Sequence, residues 1–277
     1  MPDASRLWSE LGAIAPTELA SACLQLHWAA QVVGAAADAL GEKKADDSHT
    51  NLFWDPPGQE FLSRTLPGGR ELGLTPTTLQ LVLIDGESAS RFPLAGRTLA
   101  DALQWAAREL GVDALAVRDY DMPDHEVASG GVFRAPSDES AEVGRYFAAA
   151  SATLTAIAAD DPRATEVAIW PHHFDVGAIV FVGEGDLHKA PQIGIGMSPG
   201  DGTIAEPYFY VTPWPIADGA RAGDLLAGKW QTDGFTGVVL PATEIVAMPP
   251  GERGERVSAA LRHAVTDCER LISENQS

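Results

Sequence analysis

Glu206-Pro207-Tyr208-Phe209-Tyr210-Val211-Thr212-Pro213-Trp214 alternates with period two. As a strand it sets Glu206, Tyr208, Tyr210, Thr212 and Trp214 on one face and Pro207, Phe209, Val211 and Pro213 on the other. The second face is purely apolar and belongs against a core. The first offers a carboxylate, two phenols, a hydroxyl and an indole, a set that suits a ligand pocket or a protein contact. It suits equally well a half-exposed sheet face whose Tyr and Trp polar ends reach water.

Outward from this strand, residues 176–182 and 193–197 read as strands before it and 237–240 as a strand after it. Val257, Leu261, Ala264, Val265, Cys268 and Leu271 form one stripe on a closing helix, and a helix over about 141–159 leads into 166–171. Nearer the amino terminus, Leu19, Cys23, Leu26, Ala30, Val33, Ala37 and Leu40 recur at steps of four and three. They predict a helix capped by Thr17, packed through one apolar stripe and ended by Gly41. Asp55-Pro56-Pro57-Gly58 is a strong break, residues 61–66 and 77–84 read as extended, and Asp85-Gly86 with Ser90 to Leu94 reads as a hairpin. Thr98 opens a further helix that Gly111 stops. Neighbouring strands joined by short turns point to an α+β fold, a mainly antiparallel sheet with helices packed to one side.

Residues 119–140 are acidic and rich in Pro, Gly and Ser, a connector or long surface loop. The chain then divides into an N-terminal αβ half (1–118), the acidic connector (119–140) and a C-terminal αβ half (141–277) carrying the candidate site. Both halves read helix, strands, helix, which raises internal duplication as a hypothesis, although residue identity between them is thin.

With 45% hydrophobic and 21% charged residues over 277 positions, the composition excludes general disorder and allows a core that needs no disulfide or metal. Thirty-nine acids against nineteen Lys and Arg give a formal net charge of −20. Such a surface repels phosphate backbones, so neither nucleic acid nor an anionic membrane is an expected partner. Cys23 and Cys268 fall in no metal-ligand pattern. The start, Met1 to Trp8, has no cationic region leading into an apolar run, and no stretch has the roughly 20 apolar residues of a membrane helix. A cytoplasmic location is the expectation.

Gly196-Met197-Ser198-Pro199-Gly200 matches the G-x-S-x-G pattern of serine hydrolases. Chemistry argues against that reading: the residue after the nucleophile donates its N–H to the oxyanion hole, and Pro199 has none. Gly194-Ile195-Gly196 lacks the third glycine of a nucleotide fingerprint. Alternating glycines in a strand more often admit a close neighbour. Asn275-Gln276-Ser277 satisfies the glycosylation pattern, without meaning in a cytoplasmic chain.

In Trp170-Pro171-His172-His173-Phe174-Asp175 an extended backbone puts His173 and Asp175 on one face and His172 and Phe174 on the other. His173 and Asp175 can then pair as base and orienter, or share a metal with a distant carboxylate. Against this stands a structural pair in which Asp175 holds His173 or caps a turn while Phe174 fills the core. His27 and His49 read as packing residues, and His125, His188 and His263 stand alone.

Three segments in order, Trp170-Pro171-His172-His173-Phe174-Asp175, Ser198-Pro199-Gly200-Asp201 and Glu206-Pro207-Tyr208-Phe209-Tyr210-Val211, resemble the signature of an uncharacterised bacterial family, a domain of unknown function. Its members carry Trp-Pro-x-His-Phe-Asp, then Ser-Pro-Gly-Asp, then Glu-Pro-Tyr-x-Tyr-Val. Leu26 to Gly34 and Phe92-Pro93-Leu94 are similar to its amino-terminal part. The resemblance carries no activity. It implies that His173, Asp175, Asp201 and Glu206 are motif positions and that His172 sits where the pattern is free.

The expected function is binding of a small molecule or protein partner at the Tyr/Trp/Glu-lined sheet face. The candidate residues are Trp170, His173, Asp175, Asp201, Glu206, Tyr208, Tyr210 and Trp214. No cofactor is expected. The rival is a hydrolase in which His173, Asp175, Asp201 and Glu206 hold a divalent metal or act as general acid and base. A third reading makes the aromatic face a homodimer interface. The two motif segments form one surface only if the 206–214 strand lies beside 170–175.

Overall fold

The computed structural model describes residues 4–184, 189–216 and 219–275. Met1 to Asp3, His188, and Gln276 and Ser277 of the terminal Asn-x-Ser pattern lie outside the described residues. Along the chain run α1 (Ala4–Ser9), α2 (Ala20–Leu40), β1 (Leu52–Asp55), β2 (Glu60–Ser63), β3 (Arg70–Thr75), β4 (Gln80–Asp85), β5 (Ser88–Pro93), α3 (Leu99–Leu110) and α4 (Asp138–Ala159). There follow β6 (Ala168–Trp170), β7 (Asp175–Phe181), β8 (Gln192–Ser198), β9 (Tyr208–Trp214), β10 (Lys229–Gln231), β11 (Gly237–Pro241), α5 (Ala242–Ala247) and α6 (Arg253–Asn275). The strands pair antiparallel, so the chain is α+β with antiparallel sheet, as the strand pattern predicts. Among the described residues no helix is long and apolar enough to cross a membrane.

Two compact units form. The first comprises Glu18–Gly144 and Ala168–Asp175, and the second Met1–Thr17, Arg145–Val167 and Val176–Ser277.

In the first unit the strand order is β6-β1-β2-β3-β4-β5, with α2 lying on β2 and β3 and α3 on β4 and α2. The predicted start of α2 is corrected. Thr17 sits within a 3₁₀ turn, Pro16–Glu18, and the helix begins at Ala20 without a side-chain cap. Its single stripe is corrected too. Residues from Ala22 to Ala37 are buried nearly all round, Gln25, His27 and Gln31 among them. Small side chains on α2 let neighbours pack against every face of it. At Gly34 a Cβ would stand 3.2 Å from the Pro171 ring. Helix α3 follows its local signals closely: Thr98 and Asp101 form a reciprocal capping box, and Gly111 closes the helix in the left-handed region at φ 71°. The β4–β5 hairpin turns at Gly86, with Asp85 opposite Ser88. Residues 119–137 are irregular apart from a 3₁₀ turn at Glu126–Ser129, and α4 starts at Asp138, within the expected connector; the stretch is nevertheless pinned to the unit. Pro123 O accepts from Trp28 Nε1 at 3.0 Å, the Arg134 N–H donates to Gln25 Oε1 at 2.7 Å, and Val127 and Phe133 are buried.

In the second unit the order is β10-β11-β9-β8-β7, with α6 packed on β9 and β8. Phe209, Val211 and Pro213 are buried, as the alternation predicts, and Trp8 meets Phe209 at 5.7 Å between centroids. The α6 stripe buries Val257, Leu261, Ala264, Cys268 and Leu271. Arg253 is buried without a carboxylate partner in its hydrogen bonds. Its guanidinium donates to the carbonyls of Trp8, Leu11, Val246 and Met248, so a charge in the core is fully engaged by backbone dipoles. Burial pushes the Cys23 and Cys268 thiols up to about 12, which leaves both protonated and unreactive near neutrality.

Candidate functional site

Residues 171–174 form a turn between Trp170, the end of β6, and Asp175, the start of β7, which corrects the extended reading. The Phe174 N–H donates to Trp170 O at 2.7 Å, closing one helix-like turn that does not continue. Phe174 pays for this with φ 54°, in the left-handed region that bulky side chains avoid. The physical reason is the fate of its ring. It is fully buried, stacked on His27 (5.4 Å, 9°) and tilted against Phe61 (5.2 Å, 59°). The Pro171 carbonyl is held from below by two buried donors on α2, His27 Nε2 at 2.8 Å and Gln31 Nε2 at 2.6 Å. Since the partner of His27 Nε2 is a carbonyl, that nitrogen carries the proton. Burial lowers the His27 pKa to about 4, so the ring is neutral.

This mount presents a chain of rings. His172 lies 4.2 Å from His173, 5.6 Å from Tyr120 and 5.9 Å from Trp170, the last edge-to-face at 83°. His173 is exposed, while Trp170, His172 and Tyr120 are half-buried. Burial first, and the adjacent His173 second, lower the His172 pKa to about 4. Two narrow turns, Tyr120 N–H to Arg118 O at 2.9 Å and Met122 N–H to Tyr120 O at 2.8 Å, shape the loop that carries Tyr120.

Behind Tyr120 sits a charge network. Arg118 donates to the Tyr120 hydroxyl and pairs with Asp47 at 3.0 Å and Asp38 at 3.4 Å. Its pKa is raised, by the Tyr120 hydrogen bond above all. Asp38 also accepts from Lys43 Nζ at 2.5 Å and from His49 Nε2 at 3.1 Å. Burial pushes the Asp38 carboxyl up, but Lys43, His49 and Arg118 together outweigh it and hold it below its ordinary value. The Lys44 N–H donates to His49 Nδ1, which leaves Nε2–H as the donor to Asp38. Asp47, like Phe174, has a positive φ, at 57°.

In the second unit most expected site residues serve the fold. Asp201 accepts the N–H groups of Thr203 (2.7 Å) and Ile204 (2.8 Å) and a short hydrogen bond from the Tyr208 hydroxyl. Tyr208 is buried and stacked on Phe235. Glu206 accepts from Thr243 N (2.7 Å) and Oγ1 (3.0 Å), so its carboxylate anchors the start of α5. The Tyr210 ring covers Gly196 and reaches Gly177 and Gly194, where any Cβ would meet it. The alternating glycines thus make room for a side chain. Ser198 ends β8 and its hydroxyl accepts the Gly200 N–H at 3.2 Å, so the G-x-S-x-G pattern is a strand end and turn. Trp214 alone of the expected face stands well out, 45% exposed.

The two motif segments fall in different units, 170–175 in the first and 206–214 in the second. Strand β8 lies between β7 and β9, with Val176 opposite Met197 and Met197 opposite Phe209. Of the eight expected residues the structure gathers Trp170 and His173 in one cluster. Asp175, half-buried, opens β7, and Asp201, Glu206, Tyr208, Tyr210 and Trp214 belong to the second unit. Among the described residues no three of His, Cys, Asp and Glu gather so as to hold a metal ion. The sequence reading passed over Tyr120, Arg118, Asp38 and Asp47 and doubted His172. The available signal was a lone Arg and Tyr inside the acidic 118–124 run, Arg118-Asp119-Tyr120-Asp121-Met122-Pro123-Asp124. Comparison with family models, curated proteins and solved structures finds no match for this chain.

Proposed function

We propose that this is a binding protein for a small molecule, with the Tyr120, Trp170, His172 and His173 cluster of the first unit as its recognition surface. The observation that carries the reading is the mounted ring cluster itself. Half-buried Tyr120 and Trp170 and exposed His173 surround the neutral, half-buried His172 imidazole at centroid distances of 5.6, 5.9 and 4.2 Å, on a turn fixed by buried hydrogen bonds and a strained Phe174. Strain held in place by surrounding structure is a feature of ligand clamps. A partly desolvated imidazole offers both a donor and an acceptor to a ligand.

Binding is favoured over acid/base hydrolysis because the Asp201 and Glu206 carboxylates are engaged by backbone N–H groups and by Tyr208 and Thr243. A thermal-shift screen of a fragment library tests the proposal. Hits should stabilise the wild type and the Trp214→Ala variant and lose their effect in Tyr120→Ala and His172→Ala. Hits that survive in both of those variants and vanish in Trp214→Ala would move the surface to the β9 face of the second unit.

A further inference from the structure

The geometry points to a small organic cation, a substituted ammonium group, as the ligand class of the Tyr120–Trp170–His172 cluster. This rests on the reading above that these residues form the recognition surface. Cations are attracted to the faces of Trp and Tyr rings, and the attraction grows when the rings are partly removed from water. Here Trp170 meets His172 at 83° and Tyr120 meets it at 41°, so the three rings lie in different planes, and all are half-buried.

Charge around the cluster favours the same class. Two cations of the adjoining network are balanced: Arg118 pairs with Asp47 and Asp38, and Lys43 pairs with Asp38. Asp47 also lies close enough to His172 to favour positive charge there. The loop that carries Tyr120 adds Asp119, Asp121 and Asp124, all exposed, in a chain of net charge −20. These acids leave the surroundings negative and would concentrate a cation at the rings. Burial keeps His172 neutral near pH 7, so it does not repel such a ligand.

Competing requirements separate this class from others. An anionic ligand would face the acidic loop with Arg118 already engaged. A transition-metal ion would need at least a third strong ligand, and no such group of His, Cys, Asp or Glu occurs among the described residues.

The test titrates the full chain with choline chloride by calorimetry and by NMR chemical shift, at constant ionic strength. The control ligand is 3,3-dimethyl-1-butanol, which has the same shape without the charge. Choline should bind saturably, with the neutral isostere at least about tenfold weaker. Trp170→Leu and Tyr120→Leu should each weaken choline by about tenfold, with circular dichroism confirming that the fold is retained. Tyr120 sits on an irregular loop, so its variant keeps the test decisive if Trp170→Leu unfolds. Equal binding of choline and its isostere would overturn the cation class while leaving the recognition surface standing. So would fragment hits on the cluster with no choline binding below about 10 mM.

Discussion

His27 makes the fold sensitive to acid in a way that can be isolated. Its ring is buried, donates from Nε2 to Pro171 O at 2.8 Å and stacks on Phe174. Burial, with smaller repulsion from His172 and His173, takes its pKa from 6.5 to about 4. The unfolded chain therefore binds a proton at this position below about pH 6.5 while the folded chain does not. Stability from His27 is complete above that pH and falls as the pH drops toward about 4. For those two values, linkage gives a loss of about 2.5 kcal/mol at about pH 4.5, against almost none at about pH 7.5. His27→Gln keeps an N–H donor for the Pro171 carbonyl and cannot titrate. Urea unfolding of both proteins at the two pH values measures the effect. His172 also titrates in this window, but it does so in both proteins and drops out of the difference. The variant should be the less stable at about pH 7.5, because it loses the ring stack. Its deficit should shrink or reverse by about 2.5 kcal/mol at about pH 4.5. A deficit that stays constant within about 0.5 kcal/mol would refute a neutral, carbonyl-bonded His27.

Glu206→Gln keeps the shape of the α5 anchor and removes its charge, so urea unfolding should show a loss of about 1 kcal/mol that shrinks at high salt. Gly196→Ala would drive a Cβ into the Tyr210 ring and to 2.7 Å from the Val176 carbonyl oxygen, with a cost of about 2 kcal/mol or more. Gly202→Ala, where a Cβ meets nothing within 4 Å, is the control and should stay within about 0.5 kcal/mol of wild type. Thr98→Ala removes half of the α3 capping box and should lower thermal stability by about 1 kcal/mol.

What was legible in the sequence was what neighbouring residues decide. Helix α3 has its cap, its stop and its apolar face within fourteen residues, and the β4–β5 hairpin has its Asp-Gly turn between two extended runs. Strand β9 declared both its faces by alternation alone. Strand β3 was missed because Gly68, Gly69 and Gly73 make its surroundings read as loop. Yet Gly73 is needed there, since a Cβ at that position would stand 3.0 Å from Val82 Cγ1. The all-round burial of α2 was missed for a related reason. A helix rich in Ala shows little contrast between its faces, so which of them is covered depends on partners far along the chain.

The site was harder to read than the fold because its parts come from three distant segments. Asp38 lies in the last turn of α2 and Lys43, Asp47 and His49 follow it, Arg118 and Tyr120 lie in the acidic loop, and Trp170 to His173 enter and form the turn. No local period joins them. The one local clue, two adjacent histidines after Trp-Pro, was interpreted with strand geometry, which places His172 toward the core and His173 toward the site. A turn reverses that logic. Once Phe174 enters the left-handed region to bury its ring, the backbone before it no longer alternates, and both imidazoles reach the surface within 4.2 Å of each other. A core demand at Phe174 therefore sets which histidine meets Tyr120. This is a consequence that Phe174→Gly would expose. Glycine accepts φ 54° without strain but leaves the space beside His27 and Phe61 empty, so the loss it causes comes from packing, at about 3–5 kcal/mol. Phe174→Leu retains much of that packing and keeps the strain. If choline binding survives Phe174→Leu and fails in Phe174→Gly under conditions where both are folded, the buried ring is what holds the histidines in register with Tyr120. If both variants bind as the wild type does, the turn is set by the Pro171 hydrogen bonds alone.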